Sequence, residues 1–189
     1  MSPFEYELVL VTIIVGLAIT DKLVSLHRLL RSRTKVHWHW LPLIAALLVL
    51  LTLLQFWWGF YRLGRIEVWN QYGAFLLLLL QLILMFLLAC AALPDDERDG
   101  FDLAEYYARN RRYFWTLFSM VALMATITNL VVAAPRDAPA TLLAKAIPNV
   151  LYIAAMLTLA LVRARPVHYV LVPLLLVVMV LGWFPLRIR

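Results

Sequence analysis

Four stretches of this chain, Leu41–Tyr61, Tyr72–Leu93, Tyr113–Ala134 and Val167–Leu186, run about twenty residues each without an Asp, Glu, Lys or Arg. A helix needs about 20 apolar residues to cross the roughly 30 Å hydrocarbon layer of a bilayer, where every backbone polar group must be bonded within its own segment. A fifth stretch, Leu142–Val162, meets this length while carrying Lys145, Pro148 and Asn149. The first, Phe4 to about Leu30, is uninterrupted only from Leu8 to Ile19. Beyond Asp21 and Lys22, the residues Leu23, Val24, Leu26, Leu29 and Leu30 continue its helical pattern. The sequence therefore predicts an all-α polytopic integral membrane protein, a bundle of six transmembrane helices. Residues 1–189 form one domain with spans near 4–30, 41–61, 72–93, 113–134, 142–162 and 167–186.

Composition excludes the soluble alternative. The chain is 65% apolar and 15% charged, against about 45–50% and 25% in an ordinary soluble domain. A water-soluble fold of this length could not hide the surplus, so it must face lipid. The net charge of +6 does not point to nucleic acid, because the basic residues flank apolar segments instead of lining one exposed face. The single Cys90 excludes an internal disulfide and a Cys-based zinc site. The acidic start, Met1 to Glu7, lacks the basic region of a secretory signal, so the first apolar segment is expected in the mature protein.

Lys and Arg set the expected orientation. None precedes the first span, whereas Arg28, Arg31, Arg33 and Lys35 follow it. Placing that loop in the cytoplasm also places Arg98, Arg109, Arg111, Arg112, Arg163 and Arg165 there. Arg62, Arg65, Arg136, Arg187 and Arg189 fall on the other side, with the N-terminus. The cytoplasmic loop 94–112 opens with the turn-like Pro94-Asp-Asp-Glu-Arg-Asp-Gly100. Asp102 can then cap a short helix holding a Glu105–Arg109 i,i+4 pair. Arg28, Arg111 and Arg112 are candidate contacts to lipid headgroups. All seven tryptophans, Trp38, Trp40, Trp57, Trp58, Trp69, Trp115 and Trp183, fall near the expected span ends, where indole favours the headgroup level.

Polar groups within spans are costly and mark candidate function. Thr52, Gln55, Gly59 and Arg62 share one face of the second span. Arg112, Thr116, Ser119, Ala122, Thr126, Asn129 and Ala133 share one face of the fourth. The fifth presents Thr141, Lys145, Asn149 and Tyr152, and the third an isolated Gln81. Such stripes either pack helices, at about 0.6 kcal/mol per hydrogen bond, or line a pathway or pocket. Asp21 shares a face with Ser25 and Arg28 and is the sharpest ionisable candidate. Lys22 beside it and Lys145 are both placed to snorkel to an interface. The candidate pathway or pocket residues are thus Asp21, Gln55, Gln81, Asn129, Lys145 and Asn149.

Of the histidines, only His27 and His168 could pair across helices as a haem would require, so no metal or cofactor is expected. Gly-x-Ser-x-Gly, His-Glu-x-x-His and phosphate-cradling loops are absent, so no enzyme is expected either.

Met1-Ser-Pro-Phe-Glu-Tyr6, Gly16-Leu-Ala-Ile-Thr20 running into Leu26-His27-Arg28, Gln55-Phe-Trp-Trp58 and Tyr106-Tyr-Ala-Arg-Asn-Arg-Arg112 resemble an uncharacterised family of small multi-span bacterial membrane proteins. The resemblance covers the first two-thirds of the chain. It implies the bacterial inner membrane and carries no activity.

Two functional readings remain. One is a small channel or transporter for protons, cations or small solutes. The other is a non-catalytic scaffold or accessory subunit. A membrane enzyme or haem protein ranks third. The expected partners are the bilayer and, if a path is built between protomers, further copies of the chain.

Overall fold

Each apolar run forms one helix. The computed structural model describes residues 3–31, 36–63, 72–94, 102–135 and 137–183. Its helices are α1 (Pro3–Arg31), α2 (Trp40–Leu63), α3 (Tyr72–Ala92), α4 (Leu103–Ala133), α5 (Pro139–Leu161) and α6 (Arg165–Trp183). All six are long and apolar enough to cross a membrane. Arg33, Lys35, Arg65, Trp69, Arg98, Arg136, Arg187 and Arg189, which figured in the expected topology, lie outside the described residues.

α2 is the central helix and touches α1, α3, α4 and α6. α1 packs on α2 and α3, and α4 on α3 and most extensively on α5. α5 is the least buried span. Leu143, Ile147, Val150, Leu151, Leu157 and Leu161 leave one side of it exposed and apolar, as a lipid-facing surface requires. The core runs through Leu48, Leu53, Leu82, Met85, Leu88, Trp115, Phe118, Met156 and Leu159, each at most 1% exposed.

α4 departs most from expectation. It is one helix of 31 residues, so the short helix expected after Asp102 runs without a break into the apolar run from Tyr113. Arg109, Arg111 and Arg112 make the first part polar, but charged side chains do not end a helix. The Glu105–Arg109 pair is not formed. The earlier start also puts Trp115 three turns inside the helix, where it is fully buried. This tryptophan belongs to the core, not to an aromatic belt.

Asp102 is the N-cap, as expected. Its carboxylate accepts from the amides of Ala104 at 2.7 Å and Glu105 at 3.2 Å. The first residue of the helix is also tied to the segment before α2 by Leu103 N–H donating to the His37 carbonyl at 3.3 Å. The Glu105 and then the Ala104 amide bond hold the Asp102 carboxyl below the usual aspartate range. Since the folded value lies below the unfolded one, the cap stabilises α4 above about pH 4, and that contribution is lost as pH falls through the folded value. The amide shifts of Ala104 and Glu105 should therefore titrate with a midpoint below about 4. They should not titrate in Asp102→Asn, which caps without a charge. A midpoint at or above that of an unstructured aspartate would contradict the cap.

Candidate functional site

The polar stripes of α2 and α4 meet around one cavity of ≈ 540 Å³, within the range of small-molecule sites. α2 contributes Thr52, Gln55 and Gly59, α3 Gln81, and α4 Ala122, Thr126 and Asn129. α5 adds Pro148, Asn149 and Tyr152, and α6 closes one side with Val178, Met179 and Gly182. These positions lie in the second halves of α2, α4 and α6 and toward the middle of α3 and α5. The cavity therefore lies toward the face of the bundle where α1 begins. From Ala133 at that face to Phe118, its deepest position on α4, the helix rises roughly 22 Å, about two-thirds of a hydrocarbon layer. Beyond that level Leu48, Leu88, Phe114, Trp115, Met156 and Leu159 form a buried layer. Gln55, Asn129 and Asn149 are exposed at the rim. No described lining residue is charged.

Four of the six candidate pathway residues, Gln55, Gln81, Asn129 and Asn149, are thus brought together. Asp21 and Lys145 do not line this cavity. Lys145 instead reaches the turn before α5, pairing with Asp137 at 2.5 Å with its side chain 57% exposed. That pair is a surface one of small energetic weight. Asn149 donates to the Lys145 carbonyl at 3.4 Å, one position from the Ala144 carbonyl that Pro148 deprives of its helical donor.

Gln81 is 5% exposed. Its Nε2 donates to the Val121 carbonyl at 3.3 Å, which fixes the amide orientation because a carbonyl can only accept. Its Oε1 is buried without a hydrogen-bond partner, and so is the Tyr152 hydroxyl.

On α1 the face that turns inward is not the expected one. Glu7, Val11, Val15, Ala18, Lys22, Ser25 and Leu29 form the buried stripe, at the alternating three- and four-residue spacing of a packed helix seam. Lys22, expected to snorkel, is 4% exposed. Asp21 is half-buried, although its Oδ2 is buried without a hydrogen-bond partner. Arg28 is exposed at the end of the helix. Sequence reading missed Glu7, which is 7% exposed with Oε2 unpartnered. The seam spacing puts Glu7 on the same side of α1 as Lys22, and the packing turns that side inward.

The two arginines of the expected headgroup site part company. Arg112 is exposed. Arg111 turns inward, and one guanidinium nitrogen donates to the carbonyls of Val162 at 2.7 Å, Ala160 at 3.2 Å and Leu159 at 3.5 Å. Those carbonyls end α5 and lack intrahelical donors, and a cation there also opposes the negative end of the helix dipole. In this position it caps the end of α5.

The Val162 carbonyl also accepts from His168 Nε2 at 2.9 Å, and His168 Nδ1 lies 2.8 Å from the Tyr107 hydroxyl. Trp115 Nε1 donates to that same hydroxyl oxygen at 2.9 Å. A carbonyl only accepts, so Nε2 carries a proton; Nδ1 then accepts from Tyr107, whose oxygen accepts from Trp115. Every group is satisfied by a neutral imidazole. Both ring nitrogens of His168 are engaged in this way and His27 is exposed on α1, so the two do not form the pair a haem would need.

No known protein family, curated protein or solved structure matches the chain.

Proposed function

We propose that this chain is a non-enzymatic, multi-pass protein of a bacterial inner membrane that binds and moves a small uncharged solute. In this reading α1 begins on the outer side and the cavity opens there. The observation that carries it is the cavity itself. It reaches roughly 22 Å along α4, is edged by neutral amides and hydroxyls, and has no charged group among its described lining residues. A path for protons or cations would need carboxylates or a carbonyl ring along it, and Asp21 stands elsewhere. The scaffold reading draws on the buried layer at Trp115, across which the cavity does not continue.

Asn129, exposed on the rim, tests access and orientation together. On a Cys90→Ala background, Asn129→Cys should react with an impermeant thiol reagent added outside intact cells. Reaction only after the membrane is breached would reverse the orientation. Reaction only in unfolded protein would leave the scaffold reading ahead.

A further inference from the structure

We infer that the cavity recognises a lipid alcohol, a hydrocarbon body bearing one hydroxyl that donates to Gln81 Oε1 and accepts from the Tyr152 hydroxyl. This rests on the cavity being a ligand site and goes further by naming the chemistry it selects. Gln81 is 5% exposed, one of its two amide hydrogens goes to the Val121 carbonyl, and its acceptor oxygen has no partner. The amide cannot rotate to relieve this, since rotation would set two carbonyl oxygens against each other. A buried acceptor of this kind is costly, and only a donor brought into the cavity satisfies it.

The Tyr152 hydroxyl, on α5 across the same cavity, is also buried without a partner. It can donate, accept or both. One group able to donate to the first and accept from the second is a hydroxyl. A carboxylate would set its charge against Gln81 Oε1, and an ammonium would enter with no counter-charge among the described lining residues. The remaining walls suit hydrocarbon, with Phe56, Leu77, Leu78, Met85, Phe118 and Val121 among them. The cavity lies between helices whose outer surfaces face lipid, so a ligand dissolved in the bilayer is close at hand.

The test uses the full chain in nanodiscs with two probes, n-dodecanol and its methyl ether. The ether keeps an accepting oxygen and loses only the donor. Dodecanol should bind about tenfold more tightly than the ether, as expected for a buried acceptor left unmatched. Gln81→Leu should still bind both chains but lose the preference, and Tyr152→Phe should reduce it. Thermal melts of each variant establish that it is folded. Equal binding of alcohol and ether by the wild type would overturn the hydroxyl inference while leaving the cavity a ligand site. A preference that survives in folded Gln81→Leu would overturn the assignment to Gln81. Absence of binding by either probe would overturn both readings and leave the two polar groups to water.

Discussion

Arg111→Met should lower the stability of the folded bundle by about 2–3 kcal/mol, the cost of losing charge-assisted hydrogen bonds and stranding their acceptors. Methionine keeps most of the stem's packing, so the measurement isolates the guanidinium. The bond to the Val162 carbonyl at 2.7 Å carries most of this, and the contact to Leu159 at 3.5 Å little. Arg112→Met, one residue along and exposed, should change stability by less than about 0.5 kcal/mol. Arg111→Lys should recover only part of the loss, because an ammonium keeps the favourable end charge but not the planar geometry. Denaturant unfolding in mixed micelles reads all three. Equal losses in the Arg111 and Arg112 variants would mean that both act through headgroups, and the capping role would be wrong.

Tyr107→Phe removes one oxygen and strands two buried groups, Trp115 Nε1 and His168 Nδ1. An average interhelical hydrogen bond in a membrane protein contributes about 0.6 kcal/mol. Two orphans in a close-packed interior should cost more, about 2–3 kcal/mol. Trp115 is fully buried and His168 3% exposed, so water cannot readily replace the lost hydroxyl. The variant is also expected to show coupling. In a His168→Leu background, Tyr107→Phe should cost about 1 kcal/mol less, because one of the two partners is already gone. Strict additivity of the two substitutions would show that the chain of bonds from Trp115 to Val162 does not act as a unit. Nitrogen chemical shifts give an independent reading. The wild type should show a neutral His168 with its proton on Nε2, and Tyr107→Phe should shift the Nδ1 resonance.

Both predictions concern the end of the bundle away from the cavity. Arg111 and His168 converge on the carbonyl of Val162, in the short connection between α5 and α6, and so fasten that connection to α4. At the other end α5 and α6 both line the cavity, through Asn149, Tyr152 and Met179.

The six helices were legible in the sequence because the bilayer imposes a length and a polarity that few other constraints share. The apolar runs at Leu41–Tyr61 and Tyr72–Leu93 form helices long and apolar enough to meet both. The cap at Asp102 was legible because it is a local bond, made within three residues. The faces carrying Thr52, Gln55 and Gly59, and Ala122, Thr126 and Asn129, were legible because helical periodicity fixes which residues share a side. What that side meets is a different matter. Periodicity gives relative angles around a helix but no absolute rotation, so the sequence could not say whether Asp21 or Lys22 turns inward on α1. Tertiary packing put Lys22 in the seam. Likewise a charge beside an apolar run looks the same whether water, lipid phosphate or a stranded carbonyl receives it. Only the arrival of the α5 terminus beside α4 decided that Arg111 caps a helix while Arg112 does not. Tyr107 and His168 lie 61 residues apart, and nothing local to either names the other, because a hydrogen bond between helices depends on their mutual placement. The sequence thus determined the elements and their faces through local geometry and the solvent they must tolerate. The tertiary structure decided which faces meet, and with that the cavity and the network that closes its far end.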